Sequence, residues 1–162
     1  MTNPLNKILK LGNPKLYEVS EPLEHSELPG VLQKAQTMAG LVAEYRRQHG
    51  AGRAIAAPQI GYMKRMIVIN ITRPQVLINP VLEDKSRQMI ELWDDCMSFP
   101  NLLVRVQRHK VCRIRFLNED WQKQRWWLED DLSELLQHEY DHLDGILATQ
   151  RAIDDRSFAL NE

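Results

Sequence analysis

The stretch QHEYDHLDG, residues 137–145, sets two histidines four positions apart, with a glutamate directly after the first. Four positions are about one turn of an α-helix, so on a helix His138 and His142 share a face and can offer two imidazoles to one cation, with Glu139 beside them. That reading requires the segment to be helical. Upstream, DDLSELL at 130–136 supplies Asp130 or Asp131 as an N-cap, with Glu134 three residues beyond the latter, and Leu132, Leu135, Leu136 and Leu143 recur at helical spacing. Gly145 stands just past the last of them, where a left-handed residue closes a helix. The expected element is a C-terminal helix with a metal-ligand face, and the remaining chain is expected to fold around it.

Working outward, a second amphipathic helix is expected after Ser26 and Pro29. Val31, Leu32, Ala35, Met38, Ala39, Val42 and Tyr45 recur at three and four, and HGAG at 49–52 stops the pattern. Between the helices the period changes. RMIVIN at 65–70 and QVLIN at 75–79 are short apolar runs separated by ITRP, as expected of adjacent buried strands. RQMIELWDDCMSFP at 87–100 begins as a strand that Pro100 interrupts. In HKVCRIRFLNEDWQKQRWW, Cys112, Ile114 and Phe116 alternate with Val111, Arg113 and Arg115, and NED supplies a turn into a further strand, giving a meander. With no repeat and no linker, residues 1–162 read as a single α+β domain, a mixed or antiparallel sheet around the C-terminal helix.

Composition narrows the function classes. Charged residues are 27% and cancel to a formal net charge of -1, so the chain lacks the basic field of a nucleic-acid binder. The arginines from Arg105 to Arg115 read as a solvated strand face. Two cysteines, Cys96 and Cys112, exclude a disulfide framework and suit a reducing compartment. The start, MTNPLNKILKLGNPKL, has no long apolar run, so neither a signal peptide nor a membrane span is expected, and a cytoplasmic protein is.

Two histidines need a third ligand, which HEXXH peptidases usually take downstream. Only Asp144, Asp154, Asp155 and Glu162 follow as carboxylates, no histidine does, and Asp144 points elsewhere on the helix. The soft ligand Cys96, upstream in WDDCMSFP, is the better candidate, whereas Cys112 reads as core.

Taken together, GRAIAAPQIG at 52–61, DDCMS at 94–98 and QHEYDHLDGIL at 137–147 resemble, in order and separation, the three signature motifs of the peptide deformylase family: G-x-G-x-A-A-x-Q, E-G-C-L-S and Q-H-E-x-D-H. ILKLGNPKL near the start and Thr37-Met38 resemble its N-terminal segment and first helix. The resemblance implies an enzyme that removes the N-formyl group from the N-terminal formylmethionine of nascent polypeptides, met at the ribosome. It also implies one divalent cation, Fe(II) by expectation, with Zn, Ni or Co able to replace it in a purified sample. By the same resemblance Cys96, His138 and His142 are the ligands and Glu139 is the general acid/base. Gln59 and the backbone N–H of Met97 hold the oxyanion, a contribution of ~3 kcal/mol in such sites generally.

Departures from the family pattern concern the substrate side, where Gly52, Arg53, Ala54 and Asp95 are the expected contacts. Ala54 replaces a glycine, and Arg53, in place of an aliphatic residue, puts a cation near the entrance. Asp94, Asp95 and Met97 replace Glu, Gly and Leu, and a carboxylate at Asp95 disturbs the thiol or the substrate unless it points away. Glu134 is expected to be an exposed helix charge; facing the groove, it would make the pocket for the first side chain less apolar. Two alternatives follow, a homologue with altered or lost activity through Asp95 and Arg53, and a zinc endopeptidase with a Cys ligand.

Overall fold

In a computed structural model, residues 2–161 are described; Met1 and Glu162, one of the downstream carboxylates, lie outside them. Two helices, α1 (Leu28–His49) and α2 (Asp131–Leu143), lie with eight strands: β1 (Ala54–Ala56), β2 (Met66–Asn70), β3 (Pro74–Glu83), β4 (Met89–Asp94), β5 (Leu102–His109), β6 (Val111–Leu117), β7 (Lys123–Glu129) and β8 (Phe158–Leu160). One sheet has the order β1-β2-β3-β6-β7 and the other β4-β5-β8, and every pair of neighbouring strands is antiparallel. The α+β expectation holds, in its antiparallel form.

The two helices cover opposite faces of the β1–β2 end of the larger sheet. Ile55, Met66 and Val68 pack with Val31, Met38, Leu41 and Val42 of α1. Their neighbours Ala54, Ala56, Ile67 and Ile69 point the other way and pack with Leu135, Leu136 and Leu143 of α2. A strand buried on both faces has no polar side to show, which is why RMIVIN reads as an unbroken apolar run. Farther along the sheet β6 is half-exposed and alternates as expected, with Cys112, Ile114 and Phe116 inward. Strand β3 runs beyond Asn79, because a register shift between Ile78 and Val81 absorbs the left-handed Asn79 and Pro80.

Both helix stops are as expected. Gly50 (φ 73°) ends α1 and donates its N–H to Arg46 O at 2.8 Å; Gly145 (φ 71°) follows Asp144 after α2. The start of α2 falls where expected, but without the expected cap bond. Asp130 is the N-cap residue, but its φ of 49° turns the carboxylate away from the helix N–H groups and onto Lys110 Nζ, 2.7 Å off. The helix is anchored instead by Gln137, whose amide receives His109 N–H at 2.9 Å and donates to His109 O at 2.8 Å, joining α2 to the end of β5. Among the described residues no helix is long and apolar enough to cross a membrane.

Candidate metal centre and substrate cleft

Helix α2 delivers His138, Glu139 and His142 to the interior, and the segment after β4 brings Cys96 to meet them. One ligand atom from each of Cys96, His138 and His142 lies within 4.8 Å of the others, the one such group among the described residues, and all three side chains are buried. Cys96 Sγ is 3.4 Å from His142 Nε2. Cys112 is buried in the core beside Ser133, and both cysteines are free. Of the downstream carboxylates, Asp144 pairs with Arg65 at 3.0 Å and Asp154 with Arg105 at 3.3 Å.

The donor set fits a divalent transition metal: a thiol that binds as thiolate and two imidazoles, converging without a carboxylate. Its surroundings fit as well. His138 Nδ1 lies 2.8 Å from Asp94 Oδ2, which holds the proton on Nδ1 and leaves Nε2 as the donor atom. Burial alone would lower the His138 pKa, but Asp94 and Cys96 together outweigh it and set the pKa well above the ordinary value; Asp94 itself is held down at about 2 despite its own burial. His142 is driven well below its ordinary value, first by burial and then by His138, which suits a neutral ligand. Glu139 Oε1 and His142 Nδ1 are buried without a partner among the described residues, and burial pushes Glu139 up to about 7.

Gln59 sits in the 3-10 turn Ala57–Ile60 that follows β1 and is 1% exposed. Its Oε1 accepts from Ala56 N–H at 2.9 Å, which fixes the amide so that Nε2 donates to Ser98 Oγ at 3.1 Å and faces Cys96 Sγ at 3.5 Å. The N-terminal segment ties both loops down, Leu9 N–H to Gln59 O and Leu11 N–H to Ser98 O. A cleft of about 220 Å³ opens over this group. Its walls include Gly52, Arg53, Ala54, Gln59, Asp95, Cys96, Met97, His138 and Glu139, so every expected site residue except His142 reaches it. His142 lies behind the wall, 1% exposed. Asp95 is exposed at the cleft and makes no ion pair among the described residues.

Gly52 shapes the rim. Its φ of 132° is closed to other residues, and a Cβ there would stand 3.1 Å from Tyr45 Cδ1 and 3.2 Å from Met97 Cε. Arg46 Nη1 fixes the loop by donating to Gly52 O at 2.9 Å and to Asn70 O at 2.7 Å. Gly52→Ala is expected to cost about 1–3 kcal/mol of stability through backbone strain, seen as a lowered Tm, and to distort the rim. An unchanged Tm would show that the loop relaxes freely.

Two expectations are overturned. Glu134 is buried at 8% exposure and accepts from Arg53 Nη2 at 2.7 Å, so it lines the cleft and is no solvated charge. The arginine cluster is not uniformly solvated either: Arg108, 3% exposed, points inward from β5, with Nη2 donating to Asp94 Oδ2 at 2.9 Å and Nη1 to Asp141 Oδ2 at 2.7 Å. Asp141 also holds Arg151 at 3.0 Å. Asp94, Arg108, Asp141, Gln137 and Ser98 thus support the site, and none was assigned that part from the sequence. For Arg108 a signal existed, since it continues the inward alternation of Val104 and Val106.

The sequence profile of polypeptide deformylases matches residues 5–157. The chain belongs to that family. Among curated relatives, peptide deformylase 1 of Prochlorococcus marinus is 32% identical over 166 aligned positions, covering 95% of this chain and 84% of the relative. Among solved structures, the peptide deformylase of Synechococcus elongatus in complex with actinonin superposes with a TM-score of 0.84 at 27% identity, covering 91% of this chain and 79% of that one. The Met-Ala-Ser-bound enzyme of Acinetobacter baumannii gives 0.81 at 26% identity, covering 89% and 96%. This peptide deformylase chain is therefore an enzyme built on the antiparallel fold of its relatives, with a group of side chains suited to the metal the family uses.

Proposed function

We propose that this chain hydrolyses the N-formyl group at the N-terminus of nascent polypeptides, with Cys96, His138 and His142 holding the metal. The observation that carries the reading is the convergence of those three buried ligands with Glu139 and Gln59 at the floor of one open cleft. The donor set accepts Fe(II), the ion we assign, and Zn, Ni or Co as substitutes. When bound, such a cation supplies Lewis acidity to the formyl carbonyl and to the attacking water.

The chain's own groups do the rest. Glu139, on the cleft and largely desolvated, takes a proton from the attacking water and returns one to the leaving amine as the formamide C–N bond breaks, giving formate and a free N-terminus. Gln59 Nε2, fixed by Ala56 and Ser98, offers an N–H where negative charge develops on the formyl oxygen, together with the Met97 backbone. Gly52, Arg53, Ala54 and Asp95 border the space for the rest of the peptide.

Protein loaded anaerobically with Fe(II) is expected to release formate from formyl-Met-Ala-Ser and leave the peptide bonds intact. A chelator should abolish the reaction and added Fe(II) restore it. Cleavage of internal bonds in an unformylated peptide would indicate an endopeptidase, and bound metal without formate release would indicate a homologue whose activity has been lost.

A further inference from the structure

Helix α2 has a second polar face. Gln137, Tyr140, Asp141 and Asp144 recur at three and four and line a separate cavity of about 220 Å³, which shares no lining residue with the substrate cleft. The end of β5 contributes Arg108 and His109 to it, the 3-10 turn Ala148–Arg151 contributes Arg151, and the β3–β4 connection contributes Lys85.

The hydrogen bonds among these groups occupy the acceptors and leave donors over. Asp141 already receives three N–H groups: Arg108 Nη1 on Oδ2 at 2.7 Å, Arg151 Nε on the same oxygen at 3.2 Å, and Arg151 Nη2 on Oδ1 at 3.0 Å. Asp144 pairs with Arg65 at 3.0 Å, and the Gln137 amide is spent on His109 and Ser133. On the donor side, the Arg108 side chain is 4% exposed, and its Nε is buried without a partner among the described residues. A buried N–H left so forfeits its hydration and gains no bond in return. Lys85, exposed at the edge of the same cavity, makes no ion pair among the described residues.

Charge sets the class of ligand. Arg108 and Arg151 are balanced by Asp94 and Asp141, and Arg65 by Asp144, so the Lys85 ammonium is the charge left over. One excess positive charge matches a carboxylate, whereas a phosphoryl group brings about 1.5 to 2 negative charges near pH 7. A carboxylate also presents two acceptor oxygens to two N–H donors.

We infer that this cavity, on the other side of α2 from the cleft, binds a small carboxylate between Arg108 Nε and Lys85 Nζ. The binding does not depend on the deformylase reading, although formate, the acid released in that reaction, is the smallest member of the class. Arg108 also donates to Asp94, the partner of His138, so one guanidinium touches both the cavity and the support of the metal centre.

The test titrates Zn-loaded protein with sodium formate, sodium acetate and sodium phosphate, each against sodium chloride at constant ionic strength, and follows the nitrogen–proton resonance of Arg108 Nε. The amide resonances of Gly52 and Ala54 report binding in the cleft separately. Formate and acetate are expected to shift the Arg108 signal saturably, and Lys85→Met, an exposed substitution that leaves no ion buried, to weaken that binding about tenfold. Three results would each overturn the inference: shifts confined to Gly52 and Ala54, an Arg108 response no greater than that to chloride, or unchanged affinity in Lys85→Met. Phosphate binding more tightly than acetate would overturn the assignment to a carboxylate.

Discussion

Glu139→Gln is expected to lower kcat for formate release by about 10²–10⁴-fold while the protein keeps its metal. The substitution preserves shape and removes only the capacity to take and return a proton. Glu139 is not among the three converging ligands, so metal content should match wild type. Stability provides an independent check. Burial holds the Glu139 pKa at about 7, above the ordinary 4.5, so between those values the folded protein binds more protons than the unfolded chain and its stability falls as pH rises. Glutamine has no such dependence. In metal-free protein, the Tm of the variant relative to wild type should therefore climb from pH 4.5 to pH 7. Turnover within about tenfold of wild type would remove Glu139 from the proton-transfer role.

What the sequence made legible follows from how local each feature is. The His138–His142 face needs only a helix, and caps and leucine spacing announce one. Cys96 lies 35 residues before that helix, and the exhaustion of downstream ligands together with motif order brought it in. Glu134 was misread although the same spacing argument covers it: four residues before His138 is the same face as four residues after. Charge suggested solvent, and the partner that makes burial tolerable, Arg53, comes from a different element. Arg108 was misread for a related reason. Its inward register was legible in the alternation of β5, but a buried arginine is tolerable only because two carboxylates from β4 and α2 meet it. Burial of ions is a property of pairs, and long-range pairs are not written in any one segment.

That network yields the second large effect. Asp94→Ala is expected to weaken metal affinity about 10–100-fold and to destabilise the protein by about 3–5 kcal/mol. The two losses have different origins. Asp94 Oδ2 accepts from His138 Nδ1 and from Arg108 Nη2, so one oxygen both orients a ligand and neutralises a buried guanidinium. Without it the His138 ring loses the bond that fixes its tautomer, and Arg108 keeps only Asp141, which is shared with Arg151. Adding Arg108→Leu should separate the terms, because removing the second charge abolishes the uncompensated ion without restoring the histidine's partner. Thermal stability should largely return in Asp94→Ala/Arg108→Leu, while metal affinity stays at the level of the single variant. Asp94→Asn runs the opposite way: its amide oxygen still receives His138 Nδ1–H, so affinity should be retained better than stability. If affinity and Tm instead rise and fall together across the three variants, Asp94 acts only by holding the fold. If they part as described, the carboxylate two residues before Cys96 positions a metal ligand in its own right.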